Sequence, residues 1–379
     1  MGPAERYGMK LFFKRTICFL LLLSVLPILV LAALYQSGEI RPFSAFIHEL
    51  SEDQLFGLAY DNYDKAYKFH MTDEVARPQV LVLGSSRIMQ VKRSVVSPAY
   101  SFYNAGGAIR NAYELPLFIG KLHGQPELII LNIDQYWFNP NFDDERAAFS
   151  SSVYDAPKLN PRQFGYKVWL FAVDLLKGKI DLARLLTSKN IGLNAICSEN
   201  GFAADGTRYP GNMIKEPERQ EDYNFQNVLD RIHDGDRRFQ YCSDADDTVA
   251  EGIDSFLSTC AGRGIKVVAV MPPFAPKVYQ KMVETGHYTY LSELYGLLAP
   301  VFARYKGCEI FDFTDVTSLG VHNYDFIDGF HGSERIYNQM IREIVNRDST
   351  VASYFVPLSE IDRLDSVYAS RHIRYHSID

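Results

Sequence analysis

Short apolar runs recur along this chain and set its architecture. Residues 80–83, 128–131 and 267–271 are uninterrupted apolar stretches of strand length, the pattern of strands buried on both faces. Residues 79–83, 128–131, 265–271 and 309–312 are therefore expected as strands. Residues 99–103 lead into Asn104-Ala105-Gly106-Gly107 as a further strand-to-loop junction. Between them, residues 112–122, 247–261 and 288–305 have helical spacing, and Pro272-Pro273 stops the strand before it. Strands alternating with helices predict a parallel sheet with helices on both faces.

Two regions depart from this alternation. Between about residues 140 and 245 the pattern breaks into a helical stretch at 166–176, a Gly-rich polar loop at 199–213 and a charged run at 215–238. This reads either as an insertion over the carboxyl edge of the sheet, where substrate-shaping elements sit, or as an inert elaboration. At the other end, residues 16–35 carry no charge and are almost wholly apolar, long enough to cross a bilayer. Lys10, Lys14 and Arg15 precede this span while Glu39 and Arg41 follow it. The positive-inside bias then places the N-terminus in the cytoplasm and the main domain outside. The competing reading is a cleaved signal peptide with a small-residue site at Val30-Leu31-Ala32. The expected organisation is a cytoplasmic segment at 1–15, an anchor at 16–35, a juxtamembrane segment at 36–77, a main domain at 78–349 and a tail at 350–379.

Composition narrows the choice of function. The net charge of −7 supplies no global basic field, so nucleic acid is excluded as a partner class. With 24 tyrosines and 25 phenylalanines, aromatic surface is plentiful. That suits a carbohydrate cleft, and equally core packing plus an interfacial belt. Beyond Cys18, the cysteines at 197, 242, 260 and 308 would face an oxidising compartment. Bridges 197–242 and 260–308, or free buried thiols, are both open. No Cys/His cluster has metal spacing, and no cofactor or metal is expected. Asp244-Ala245-Asp246 reads as a loop or helix cap.

The chemistry lies in two short segments. Val80-Leu81-Val82-Leu83 runs into Gly84-Ser85-Ser86-Arg87, and near the C-terminus stands Asp328-Gly329-Phe330-His331, followed by Gly332-Ser333 and a helix-like run. Together they supply serine, aspartate and histidine. A hydroxyl at a strand's carboxyl end becomes a nucleophile when an imidazole takes its proton and a carboxylate orients that imidazole. Ser86 is the candidate nucleophile with Ser85 as fallback, His331 the general base and Asp328 its orienting partner. Ser333 is the expected helix N-cap, with Ile336, Met340 and Ile344 as the apolar stripe. Arg87 either binds an anionic substrate group or forms a scaffold ion pair.

This pair of motifs resembles the first and last sequence blocks, Gly-Asp-Ser and Asp-x-x-His, of the SGNH (GDSL-like) hydrolase superfamily, over roughly residues 78–346. Ser85 stands where the family has Asp, a form shared with its membrane-anchored cell-envelope branches. The resemblance implies a flavodoxin-like three-layer sandwich with a mostly parallel sheet of about five strands. It implies Ser86 as the catalytic hydroxyl, and oxyanion donors from the Ser86 N–H and from Gly106 or Gly107. The family's third block, Gly-x-Asn-Asp, corresponds to Asn132-Ile133-Asp134-Gln135, which lacks the glycine. Asn132, Gln135 and Asn104 are the candidate side-chain donors. By the same resemblance the activity is a serine O-acyltransferase or esterase acting on a cell-surface polysaccharide or teichoic-acid-like acceptor, with the membrane and a membrane-embedded acyltransferase as partners. The alternative is a non-catalytic envelope scaffold or glycan-binding protein that keeps the fold.

Overall fold

The computed structural model describes residues 3–142, 151–211, 222 and 224–370. The start of the charged run at 215–238, residues 215–221 and 223, and the last nine residues of the tail lie outside the described residues. The chain divides into two compact units.

One unit comprises residues 1–50, 54–62 and 158–201. Its long helix α1 (Pro3–Gln36) contains Pro27, and Phe12–Gln36 within it has a mean hydropathy of 3.0, long and apolar enough to cross a membrane. Exposed apolar side chains such as Phe13, Ile17 and Leu26 cover most of this helix. Its last two turns behave differently. Val30 and Leu34 are buried with Ile40 in a cluster completed by Phe171, Leu185, Leu193 and Ile196. Phe171 belongs to α2 (Phe164–Leu176), and Leu185 to the short α3 (Leu182–Thr187). The Glu39 carboxylate is buried and accepts hydrogen bonds from the N–H groups of Ala59, Tyr60 and Leu193. Half of the expected insertion thus forms one unit with the N-terminal helix.

The second unit comprises residues 51–53, 63–157 and 202–379. It is an α/β unit built on a five-stranded parallel sheet: β1 (Val80–Gly84), β2 (Phe102–Gly106), β3 (Leu128–Asn132), β4 (Lys266–Met271) and β5 (Cys308–Asp312), in the order β2-β1-β3-β4-β5. Every residue of β1, β2 and β3 is buried, which is why the apolar runs of β1 and β3 are unbroken. Each fully buried Val, Leu or Ile here contributes about 1.5–3 kcal/mol. Register pairs Gly84 with Gly106, Leu83 with Leu131 and Asn132 with Val270, so the strands' carboxyl ends form one edge. Helix α4 (Glu334–Arg347) buries Ile336, Met340 and Ile344 as its spacing requires. The tail is structured as far as it is described: Val351, Tyr354, Phe355 and Ile361 are buried, and Asn338 donates to Asp365 at 3.1 Å.

The five cysteines are free thiols, so neither expected bridge forms. Cys260 and Cys308 are buried and burial raises both thiols, the behaviour of inert core residues.

Candidate active site

Strand order reverses around β1, whose neighbours β2 and β3 diverge from it, and a crevice at such a switch point opens beyond the carboxyl ends. The chain leaves β1 through Gly84, at φ +151°, where a Cβ would come within 2.5 Å of Asn132 Cβ. It then turns into a short 3₁₀ segment, Ser86–Ile88.

The two serines differ sharply. Ser85 is buried; its Oγ donates to Asn132 Oδ1 at 2.9 Å and accepts from the Arg87 N–H at 3.1 Å. Ser86 is partly exposed, and its Oγ lies 2.8 Å from His331 Nε2. The other ring nitrogen, Nδ1, lies 2.7 and 2.9 Å from the two Asp328 oxygens. A tight turn holds this pair. The Ile327 N–H donates to the His331 carbonyl, the His331 N–H to Asp328 Oδ1, and Gly329 takes φ +75° at its corner. Burial alone would raise the Asp328 carboxyl. The facing His331 ring and the N–H groups of His331 and Phe330 outweigh it and hold the pKa below the ordinary carboxylate value. Ser333 occupies the N-cap position of α4, yet its buried Oγ makes no capping bond and has no hydrogen-bond partner among the described residues.

The remaining candidates are placed otherwise. Arg87 is 1% exposed and does not face a substrate. Its guanidinium donates to the carbonyls of Phe330, Pro272 and Pro273 and to Gln135 Oε1, pairs with Asp134 at 3.3 Å, and stacks 4.4 Å over the Phe274 ring. Of the two readings of this residue, the scaffold pair holds. The glycine donors are also committed: the Gly106 N–H donates to Asn104 Oδ1 and the Gly107 N–H to the Gly84 carbonyl, each at 2.8 Å. Asn132 is fully buried and donates to Asp134 Oδ1 at 3.2 Å. Gln135 donates to the Pro272 carbonyl and Thr314, and Asn104 to the carbonyls of Ile88 and Val91. These side chains brace the turn after β1 rather than point into the site. The Ser86 N–H, by contrast, has no acceptor among the described residues.

Ser86, Asp328 and His331 open onto a pocket whose lining includes Met89, Gln90, Arg208 and Ile327. Met89 and Gln90 follow Ser86 by three and four residues, a spacing that could have flagged them. Arg208 follows by more than a hundred residues, on the short strand Arg208–Pro210 where the sequence reads as polar loop, with no local motif to mark it. Burial pulls its guanidinium down from its ordinary value, while the nearby carboxylates Asp64 and Asp328 act in the other direction. Asp246 caps its own loop by accepting from the Thr248 N–H and hydroxyl, and among the described residues no cluster of His, Cys, Asp and Glu could hold a metal ion. In comparisons with known proteins, no family model, no curated protein and no solved structure matches the chain.

Proposed function

We propose that the chain is a membrane-anchored serine acyl-transfer enzyme of the SGNH-like type, an O-acyltransferase or esterase that works through an acyl-Ser86 intermediate. The observation that carries this reading is the unbroken hydrogen-bond relay from Ser86 Oγ through His331 to Asp328. The strand order supports it, since β2-β1-β3-β4-β5 is that of a flavodoxin-like sheet with the hydroxyl at its switch point.

In the reaction, Ser86 Oγ attacks an acyl carbonyl carbon as His331 Nε2 takes the hydroxyl proton. Asp328 fixes the proton on Nδ1 and stabilises the imidazolium. The developing oxyanion is met by the Ser86 N–H, and Arg208 brings a guanidinium to the same pocket. His331 then returns its proton to the leaving oxygen, giving acyl-Ser86. Water or a glycan hydroxyl, deprotonated by His331, attacks that ester and restores the serine. Met89 and Ile327 give the pocket apolar walls suited to a short acyl chain.

The apolar helix α1 puts this chemistry at a membrane, and its basic N-terminal flank favours the domain facing the envelope, where a surface polysaccharide is the acceptor. Burial of Val30 and Leu34 in a folded core supports an uncleaved anchor, because cleavage after Ala32 would remove Val30 from that core.

One observation favours the non-catalytic scaffold as a second reading: the glycine N–H groups and amide side chains near the site are spent on the fold. Labelling with a fluorophosphonate separates the two. The wild-type chain and Ser85→Ala should take up the probe, and Ser86→Ala should take up none. A wild-type chain that stays unlabelled while folded would establish the scaffold, and labelling that survives Ser86→Ala would move the nucleophile elsewhere.

A further inference from the structure

Helix α2 is built inside out. It has two charged residues, Lys167 and Asp174. Lys167 is buried, donates to the Glu39 carbonyl at 2.6 Å and pairs with Asp61. Asp174 accepts from the Tyr60 hydroxyl at 3.2 Å. Both charges are thus engaged within their own unit, while Phe171 packs in the core with Val30 and Leu34 of α1. The side chains left in solvent are apolar: Tyr166 and Trp169, stacked at 6.0 Å, and Leu176 at 89% exposure. With the partly buried Val173 they recur at three- and four-residue steps and form one stripe. Leu182 and Leu186 of α3, one turn apart, are also exposed. A soluble surface does not gather so many large apolar groups without something to cover them.

Two further observations name the cover. The first is depth. The uncharged span ends at Tyr35, and a helix rises about 1.5 Å per residue. Val30 therefore lies roughly 7–8 Å before the end of the span. Packing against Val30 and Leu34 holds α2 and α3 at that level, and interfacial helices bury their apolar faces about 5–10 Å into the headgroup–acyl boundary. The second is charge. Residues 158–189 carry seven basic residues and two acidic ones, in a chain of net charge −7. Exposed Lys177 and Lys179 directly follow the stripe, Lys179 also pairing with Asp174 at 3.4 Å. A Trp/Tyr pair rimmed by lysines is the pattern of a membrane–water interface.

We infer that residues 158–189 form a second membrane contact, with the apolar stripe of α2 and the exposed leucines of α3 seated in the headgroup–acyl boundary of an anionic bilayer beside the C-terminal end of α1. The inference rests on α1 crossing the membrane and holds whichever side that end faces. It gives the anchor two contacts with the membrane, the span and the interfacial stripe.

The chain's two tryptophans allow a direct test, because Trp137 is 2% exposed and Trp169 is 59% exposed. The full chain is reconstituted into phosphatidylglycerol-containing vesicles whose acyl chains are brominated. In Trp137→Phe, Trp169 emission should be blue-shifted, quenched roughly twofold or more by the brominated lipid, and insensitive to aqueous iodide. Should Trp137→Phe fail to fold, the difference between wild type and Trp169→Phe reads the same signal. Quenching should weaken in vesicles of phosphatidylcholine alone; equal quenching in both would remove the anionic requirement. Carbonate washing reports the span separately. A chain retained after washing whose Trp169 is quenched by iodide but not by bromolipid overturns the interfacial contact alone, whereas a chain washed off overturns the span and the contact with it. Iodide shielding that disappears on dilution of the protein in lipid would show a second copy on this face and would also overturn the inference.

Discussion

Replacing Arg87 by methionine isolates what the guanidinium does, because the aliphatic stem stays and the donors go. The loss can be followed atom by atom. The Pro272 carbonyl keeps the Gln135 Nε2 donor at 2.7 Å, and Asp134 keeps Asn132 Nδ2 and the Tyr136 hydroxyl. The carbonyls of Pro273 and Phe330 and Gln135 Oε1 lose the Arg87 hydrogen bond. Asp134, with no exposed surface, loses its cation. Breaking a buried pair from one side costs about 3–5 kcal/mol, much of it the stranded charge. At ~2–4 °C per kcal/mol for a unit of this size, the apparent Tm should fall by roughly 6–20 °C. Arg87→Met combined with Asp134→Asn should recover about 1–3 kcal/mol of that loss, since the stranded charge goes with it. The assay is thermal unfolding of the purified chain in detergent, alongside the rate of fluorophosphonate uptake. Uptake should slow as well, because the Phe330 carbonyl that Arg87 holds belongs to the residue before His331. A variant that keeps its Tm and loses only affinity for an anionic substrate would refute this reasoning and restore Arg87 as a substrate ligand.

Three other outcomes are expected. Under native conditions a small maleimide should react faster with the half-buried Cys197 than with the buried Cys242, Cys260 and Cys308, and all five cysteines should react after denaturation without a reductant; a reductant requirement would show bridges that the fold lacks. The lowered Asp328 pKa means that its contribution to stability is complete above the ordinary value of 3.8 and is lost as pH falls through the lower, folded value; the stability difference between wild type and Asp328→Asn should therefore persist down to about pH 4 and vanish in stronger acid, as followed by unfolding across that range. Gly107→Ala should destabilise by about 1–3 kcal/mol, because φ is +89° and the new Cβ would meet Met89 Cε at 2.3 Å, and Met89→Ala should relieve the clash but not the backbone strain in a denaturation series.

Strands β1, β3 and β4 were legible to within a residue or so, because runs buried on both faces leave no polar interruption to misread, and β5 was placed as closely although Glu309 and Asp312 are exposed. β2 was displaced toward its N-terminus. It ends Asn104-Ala105-Gly106, and that composition reads as loop although Asn104 is a fully buried brace. Ser86, Asp328 and His331 were legible because their side chains meet one another, so the motif contains both sides of each contact. The bonds of Gly106 and Gly107 were not, because they go to a brace and a backbone carbonyl that sequence does not single out, and for Arg87 the scaffold pair was one of two open readings. The division of the insertion was hidden for a different reason. The apolar face of α2 is plain in the sequence, but its partners Val30 and Leu34 lie more than a hundred residues upstream inside an apparently lipid-facing run.

The two departures from the Gly-Asp-Ser and Gly-x-Asn-Asp patterns have a single physical logic. Ser85 uses its hydroxyl twice, donating to Asn132 Oδ1 and accepting from the Arg87 N–H. That leaves Asn132 Nδ2 directed at Asp134, which in turn faces Arg87. A carboxylate at position 85 could still accept from the Arg87 N–H but could not donate to Asn132. The amide would have to turn over to offer its Nδ2, and the bond from Asn132 to Asp134 would be lost. Serine at 85, aspartate at 134 and arginine at 87 are therefore mutually dependent: a neutral hydroxyl beside Ser86 orients Asn132, Asn132 helps to hold Asp134, and Asp134 balances the buried guanidinium that ties down the His331 loop. An asparagine that would otherwise be free to face an oxyanion is thereby bound into the scaffold. In the proposed reaction, transition-state stabilisation would then rest on the Ser86 N–H, with Arg208 lining the same pocket.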